Sequence, residues 1–270
     1  MSEVFQFVPG TTPVLISVPH AGTTIPAEIA ARMTTEALDL PDTDWHVPLL
    51  YDFARQLGAG LIVATHSRYV IDLNRDPSGK PLYPGADNTE LVPLTTFNRD
   101  AVYRSGLGPD DDEVAQRVSR YWRPYHDKLA GELETLKARH GVAVLWDAHS
   151  IPSMVPRFFR GKLPDLNLGS AKGTSAAPDL IEAVARMLKT TNAFSSVVDG
   201  RFTGGYITRR FGQPRSGVHA LQLELGQACY MDESPPYRFD AQRAAPLKAL
   251  LEKTIEVVVA WARAHATVSP

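Results

Sequence analysis

A chain of 270 residues with 44% hydrophobic residues can bury a core without disulfide bonds, and we expect a single domain over residues 1–270. Its formal net charge of -2 gives no reason to expect nucleic acid or an anionic membrane as a partner. The single cysteine, Cys229, excludes an intramolecular disulfide and a multi-cysteine zinc site, and it predicts a reducing, cytoplasmic location. We expect neither a secretion signal nor a membrane span, because no apolar run approaches the ~20 residues that a span needs.

Apolar runs and helical patterns alternate along the chain. In chain order they predict a strand at 14–22 that breaks at Pro19, helices at 26–38 and 42–58, and strands at 59–67 and 68–77. One long helix, or two with a joint at Pro124, is predicted at 109–140. A strand at 142–150, a helix at 179–190, strands at 195–200 and 219–227, and a helix at 241–265 follow. Polar loops at 78–99 and 151–178 follow strand ends, so we expect both to line one cleft. The alternation predicts an α/β fold, a three-layer αβα sandwich around a mostly parallel, mixed central sheet.

Two histidines follow buried strands. In "VAVLWDAHS" (142–150), Asp147 and His149 lie two residues apart and project from the same face where the strand ends. His20 follows the first strand in "SVPHAG", where Pro19 and Gly22 shape a tight turn. Neutral imidazole is the usual protein ligand of zinc, so these histidines predict one divalent metal ion, with an acidic third ligand and an open position for water.

Three aspartates compete for the role of the acidic ligand. Asp42 and Asp44 lie in "LPDTDWHVP", at the start of the helix predicted at 42–58, where aspartate is a preferred helix cap. We assign Asp42 to capping and Asp44 to the metal. Asp147 is an alternative ligand, but its place two residues before His149 favours a role in orienting the imidazole.

Glu224 shares one face of "HALQLELGQ" with Gln222, whereas leucines mark the other face. On a central strand a buried carboxylate is costly unless it is paired or has a task. The task that fits here is that of a general base acting on a water activated by the metal. On an edge strand Glu224 would be solvated and would have no such role.

Arginines mark two further segments. Arg75 ends "YVIDLNR", and its planar guanidinium matches the carboxylate of an acidic substrate. We interpret Asp72 in the same segment as a tie for the loop. "GRFTGGYITRRFG" adds Arg201, Arg209 and Arg210 around a Gly-Gly turn, and the sequence leaves open which of the three contacts an anion.

Eight segments occur in a characteristic order: "SVPHAG", "PDTDWHVPLLYDFA", "SRYVIDLNR", "KPLY", "VLWDAHS", "GKLPDLNLG", "GRFTGGYITRRFG" and "LQLELGQACYMDE". Together they resemble the N-formylglutamate amidohydrolases, also called N-formylglutamate deformylases, from about Val14 to Glu233. The resemblance implies release of formate and L-glutamate from N-formyl-L-glutamate, a step in histidine degradation. It also implies the fold of the zinc carboxypeptidases, of the phosphorylase/hydrolase-like kind, and one bound divalent ion, expected to be Zn²⁺.

That kinship implies an order of functional residues: a histidine and an acidic ligand, an Asn-Arg pair for the substrate α-carboxylate, a second histidine and a late glutamate base. The matching residues are His20, Asn74, Arg75, His149 and Glu224. Zinc carboxypeptidases place the acidic ligand three residues after the first histidine, where this chain has Thr23, so we assign that ligand further on, to Asp44. Arg209 is assigned to the second substrate carboxylate or to the developing oxyanion.

Other functions fit some of these residues. A deacylase of another N-acyl acidic amino acid, such as an N-acetyl or N-succinyl compound, would differ in the acyl pocket alone. A carboxylate-binding protein would keep the arginines but lose the metal. A serine hydrolase using Ser150 is disfavoured, because no Gly-x-Ser-x-Gly motif surrounds it. The oligomeric state is not indicated by the sequence.

Overall fold

The structure is a computed structural model that describes residues 3–82, 85 and 87–267. Seven strands are found in these residues: β1 (Phe5–Val8), β2 (Val14–Val18), β3 (Gly60–Ala64), β4 (Ala143–Ile151), β5 (Leu166–Gly169), β6 (Ser196–Val198) and β7 (Val218–Gly226). They form one sheet in the order β1-β3-β2-β4-β7-β5-β6. The pairs β3-β2, β2-β4, β4-β7 and β5-β6 are parallel, whereas β1-β3 and β5-β7 are antiparallel. The mostly parallel, mixed α/β sheet predicted from the sequence is therefore confirmed.

The helices of the described residues differ widely in length. They are α1 (Ala27–Ala30), α2 (Thr35–Leu38), α3 (Val47–Leu50), α4 (Asp111–Arg117), α5 (Arg123–His140), α6 (Pro178–Leu188), α7 (Tyr206–Phe211) and α8 (Ala241–Ala264). A single π-helical turn, Val118–Trp122, joins α4 to α5 directly before Pro124, as expected from a proline that removes one backbone donor. No helix in this part of the chain is long and apolar enough to cross a membrane.

Helices cover both faces of the central strands. Successive strand residues point to opposite faces, so Ile16 and Trp146 pack toward α6 and α8, whereas Leu15 and Leu145 pack toward α5. β2 and β4 are buried along their whole length for this reason. Their continuous apolar composition is typical of parallel strands between two helical layers.

Two helix predictions are wrong in extent. The segment 26–38 forms the short helices α1 and α2 in place of one longer helix. In 42–58, His46 adopts the left-handed conformation (φ 62°), which is incompatible with a continuous helix. The helix α3 therefore begins only at Val47, and a 3₁₀ turn at Asp52–Arg55 follows it.

The strand predicted at 68–77 is also wrong. Its apolar residues are buried, but the segment runs in turns, and the amide of Asp72 donates to the Leu91 carbonyl at 2.7 Å, outside the sheet. Conversely, β1, β5 and α7 were not predicted. β5 has only four residues and lies between loops, so it lacks the long apolar run that marks β4 as a strand. It pairs antiparallel to β7.

Candidate active site

Three side chains from separate parts of the chain meet where β2 and β4 end. His20 lies just beyond β2, His149 lies near the end of β4, and their ring centroids are 4.9 Å apart. Two hydrogen bonds hold Asp44 beside them: its amide donates to the His20 carbonyl at 3.1 Å, and its side-chain Oδ2 accepts from the Ser150 amide at 3.1 Å. One ligand atom from each residue lies within 4.8 Å of the others.

The chemistry of this group fits a divalent cation. All three side chains are buried, and the Nδ1 atoms of His149 and His20 lie 3.1 Å and 3.7 Å from Asp44 Oδ2. Among the described residues, Asp44 Oδ1 is buried and has no hydrogen-bond partner. A buried carboxylate oxygen without a donor is costly, and an ion bound by two imidazoles and a carboxylate would satisfy it.

The outer nitrogen of each imidazole faces another aspartate. His20 Nε2 is 2.7 Å from Asp72 Oδ1, and His149 Nε2 is 3.1 Å from Asp147 Oδ2. A histidine that binds a metal through one nitrogen commonly donates through the other to a carboxylate, which fixes the ring. The orienting position predicted for Asp147 is thus matched by a second one, Asp72, which had been interpreted only as a loop tie.

Asn74 lies beside these aspartates, and its backbone amide donates to Asp72 Oδ1 at 2.8 Å. Its Nδ2 is 3.1 Å from His149 Nε2, and its Oδ1 accepts from the Ile207 amide at 2.8 Å. A Cβ at Gly205 would overlap the Asn74 amide, so the Gly-Gly turn allows α7 to approach the site this closely.

The carboxylates of the group are held ionised. Burial opposes ionisation of Asp44, but hydrogen bonds with His149 and His20 outweigh it and keep the Asp44 pKa below its ordinary value. Burial also opposes ionisation of Asp72, and the charges of His20 and two neighbouring arginines hold its pKa well below normal. Burial would lower the His149 pKa, whereas Asp147 and Asp44 raise it well above 6.5. The Asp44 carboxylate is therefore in the ionised form that a metal ligand needs.

Glu224 lies beside this group on the central strand β7. Its register partner on β4 is His149, so the two side chains share one face of the sheet. The residue is 8% exposed, and Oε2 accepts from Gln222 Nε2 at 3.3 Å. Burial raises the Glu224 pKa to about 8, because Asp44 adds to the effect and the nearby His149 only partly opposes it. Such a group, buried and able to exchange a proton near neutrality, has the properties of a general base.

A cleft opens over these residues. Both long loops line it, as predicted: Asp87 and Phe97 belong to the first loop, and Ile151 and Phe158 belong to the second. Residues 83, 84 and 86 of the first loop lie outside the described residues. The lining also includes three arginines, Arg68, Arg75 and Arg201. The cleft thus combines the metal-competent group, Glu224 and several positive charges.

The arginines differ from the sequence assignments in one respect. Arg75 donates to the Thr89 hydroxyl at 2.7 Å and faces the cleft, whereas Arg209 is exposed and lies outside the described lining, with its guanidinium donating to the Leu82 carbonyl at 2.9 Å. Arg201 lines the cleft instead, with Nε donating to the Phe158 carbonyl at 2.6 Å.

Two charged residues in this region were missed or assigned wrongly. Arg68 is 6% exposed and lies with Nη1 3.8 Å from Asp44 Oδ1; its i, i+4 spacing to Asp72 in an otherwise apolar segment is the signal that indicates it. The capping role predicted for Asp42 is wrong, because its carboxylate accepts from the Phe97 amide at 2.9 and 3.1 Å. No helix starts at Asp42.

A mixed α/β sheet with a metal-competent His-Asp-His group and a buried glutamate at its strand ends defines a hydrolase-like α/β protein. Residues 12–231 match the sequence profile of the N-formylglutamate amidohydrolase family. The chain belongs to this family.

Its relatives cover nearly the whole chain. The N-formylglutamate deformylase of Pseudomonas putida is 45% identical over 261 residues, which are 97% of each chain. That of Pseudomonas aeruginosa is 46% identical over 263 residues, 97% of this chain and 98% of the relative. The crystal structure of N-formylglutamate amidohydrolase from Ralstonia eutropha superposes with a TM-score of 0.81 at 26% identity, covering 96% of this chain and 98% of the other. A gene product of Agrobacterium tumefaciens, at 15% identity and a TM-score of 0.70, shows the same fold.

Proposed function

We propose that this protein hydrolyses the formyl amide of N-formyl-L-glutamate to give formate and L-glutamate, as a step of histidine degradation. Its family and two relatives named N-formylglutamate deformylase support that substrate. The observation that carries the reaction is the convergence of His20, Asp44 and His149 beside Glu224, in a cleft that also contains arginines. The N-acetyl and N-succinyl alternatives lack such support.

His20, Asp44 and His149 would hold the divalent ion, which we infer to be Zn²⁺ from two imidazole ligands and one carboxylate. The bound ion supplies Lewis-acid chemistry, polarising the amide carbonyl and making the attacking water more acidic. Asp72 and Asp147 keep the two imidazoles in the tautomer and orientation that this requires.

Glu224 moves the proton. As the water attacks the formyl carbon, the Glu224 carboxylate accepts its proton, and the resulting carboxylic acid donates it to the amide nitrogen as the C–N bond breaks. The products are formate and the free amino group of glutamate. Arg68, which lines the cleft with Nη1 3.8 Å from Asp44 Oδ1, would stabilise the negative charge that develops on the carbonyl oxygen.

The substrate has two carboxylates, and the cleft has two further arginines for them. We assign the α-carboxylate to Arg75, with Asn74 adjoining, and the side-chain carboxylate to Arg201 in preference to Arg209, because Arg201 lines the cleft. Charge-assisted contacts of this kind are geometrically specific.

Three further assignments, of the fold, of the domain and of the location with its partners, belong to this proposal. Ligands at the carboxyl ends of parallel strands favour the zinc carboxypeptidase kind of fold. One sheet containing all seven described strands favours a single domain over residues 1–270. A cytoplasmic location, with a small acidic N-acyl amino acid as partner and no nucleic acid or membrane, remains our prediction.

The deciding experiment measures formate release from N-formyl-L-glutamate by the purified protein, with and without a chelator. We expect release that the chelator abolishes and added Zn²⁺ restores. Metal content should be near one ion per chain and should be lost in His149→Ala, whereas His219→Ala, at a buried histidine elsewhere on β7, should retain it. No formate release in any metal form would refute the proposal, and equal low metal content in the wild type and His149→Ala would favour a binding protein.

A further inference from the structure

An aromatic wall closes one side of the cleft. We use this name for Phe97 and Phe158, whose ring centroids are 5.2 Å apart in an edge-to-face arrangement and which both line the cleft. The Phe97 ring centroid is also 4.9 Å from the guanidinium carbon of Arg68. Phe97 therefore lies one side chain away from the metal-competent group.

The neighbours of Arg68 indicate which part of a substrate would reach the aromatic wall. Arg68 Nη1 lies 3.8 Å from Asp44 Oδ1, and its Nη2 lies 2.7 Å from Asp72 Oδ2. The same Asp72 oxygen is 3.9 Å from Arg75 Nη1, so Asp72 lies between the two arginines, and Phe97 covers Arg68. For a substrate with its α-carboxylate at Arg75 and its carbonyl oxygen near Arg68, the acyl substituent would lie within reach of the Phe97 ring, which is 4.9 Å from the Arg68 guanidinium carbon.

The backbone of the wall is fixed from two sides. The Phe97 amide donates to both oxygens of the Asp42 carboxylate, at 2.9 and 3.1 Å. Arg157, whose side chain is 5% exposed, donates to the Thr96 carbonyl at 2.7 Å and so ties this loop to the one that carries Phe158. The backbone that carries the Phe97 ring therefore cannot shift away from a larger acyl group without breaking these hydrogen bonds, and the contacts of the ring with Phe158 and Arg68 restrict its rotation.

We propose that Phe97 determines the acyl specificity of the enzyme by excluding substituents larger than the hydrogen of a formyl group. This inference rests on the proposed function and narrows its substrate class to N-formyl compounds. Adding one methyl group to a well-packed, rigid site forces side chains or backbone to shift, and discrimination by one methylene is about 10- to 200-fold. That range is the effect expected between formyl and acetyl substrates.

The test compares kcat/KM for N-formyl-L-glutamate with that for N-acetyl-L-glutamate. In Phe97→Ala we expect the formyl-to-acetyl preference to fall about 10- to 200-fold, through a gain in acetate release. Phe97→Leu, which preserves more of the packing, should show a smaller fall of the same kind. Phe159→Ala is the matched control, because Phe159 packs in the same cluster but lies outside the described lining of the cleft, and its preference should equal that of the wild type.

Thermal unfolding identifies any variant that fails to fold, and Phe97→Leu then decides the question. A wild type that releases formate, combined with an unchanged preference in the folded Phe97 variants, would overturn this inference alone. A preference that falls only because formate release is lost would also overturn it. A wild type that releases no formate would refute the proposed function and this inference with it.

Discussion

His149 and Glu224 are register partners on the adjacent parallel strands β4 and β7. Neighbouring strands lie ~4.8 Å apart, and register partners point to the same face of a sheet. The spacing between a candidate metal ligand and the candidate base is therefore set by a ladder of backbone hydrogen bonds and not by a loop. A site built on rigid elements holds its reacting groups more precisely than one built on loops.

Replacing Glu224 by glutamine tests the base. Glu224→Gln keeps the size of the side chain but cannot accept a proton, so we expect kcat for formate release to fall about 10²- to 10⁴-fold. Metal content should not change, because Glu224 is outside the His-Asp-His group. Glu256→Gln, the same change on the exposed side of α8, should leave both quantities unaltered. Near-normal turnover in Glu224→Gln would remove the residue from this role.

The two orienting aspartates should control metal affinity. Asp72→Asn and Asp147→Asn retain the volume of the side chain but lose the charge that faces each imidazole, and we expect the affinity for Zn²⁺ to fall about 10- to 100-fold. Competition with a coloured chelator measures this directly. Asp39→Asn, at an exposed position, is the control. Wild-type affinity in both variants would show that the carboxylates are structural only.

Arg201 should recognise the side-chain carboxylate of the substrate. Arg201→Gln is expected to lower kcat/KM for N-formyl-L-glutamate about 10- to 100-fold, the value of a hydrogen bond to a charged group. It should affect N-formyl-L-glutamine, which has the same shape without the charge, much less. Arg209→Gln should change neither substrate, because Arg209 lies outside the described lining of the cleft. The reverse pattern would return the role to Arg209.

His126 should make folding stability dependent on pH. It is buried, its Nε2 donates to the Leu73 carbonyl at 2.8 Å, and burial lowers its pKa from 6.5 to about 4. Between these values the unfolded chain binds a proton that the folded chain does not, so stability is full above pH 6.5 and falls as the pH decreases, by about 3 kcal/mol in total.

Urea denaturation of the wild type and His126→Phe at pH 8, 7, 5.5 and 4.5 measures this contribution. The wild type should lose more stability than His126→Phe below pH 6.5, and the two should change alike between pH 7 and 8. Parallel curves over the whole range would show that His126 is not responsible.

The sequence was most informative where long apolar runs end in polar groups. β4 is a nine-residue strand with every residue buried, and its composition alone indicated both the strand and the position of His149 at its end. β2 with His20, β7 with Glu224 and the helix α8 were predicted for similar reasons. In each case burial imposes a periodic or continuous pattern of apolar residues that one segment of sequence shows by itself.

Contacts between distant segments were much harder to predict. Asp44 and Asp42 lie in one short segment, yet one carboxylate meets His149 while the other accepts from the Phe97 amide. The apolar residues around Arg68 resemble a strand, although the segment is irregular. Nothing in "GRFTGGYITRRFG" alone distinguishes Arg201 from Arg209, because packing against other loops decides which arginine enters the cleft.

The hydrogen bonds that join the Asp44 amide to His20 and the Asp44 carboxylate to the Ser150 amide have a further consequence for assembly of the enzyme. They hold Asp44 beside both histidines through the chain's own groups, so we expect the protein to stay folded when the ion is removed, unlike small domains that unfold when chelated. Removing the ion should abolish turnover but preserve a cooperative thermal transition, and re-addition should restore the rate without a refolding lag. Zinc supply would then regulate such an enzyme as a reversible switch on a protein that is already folded.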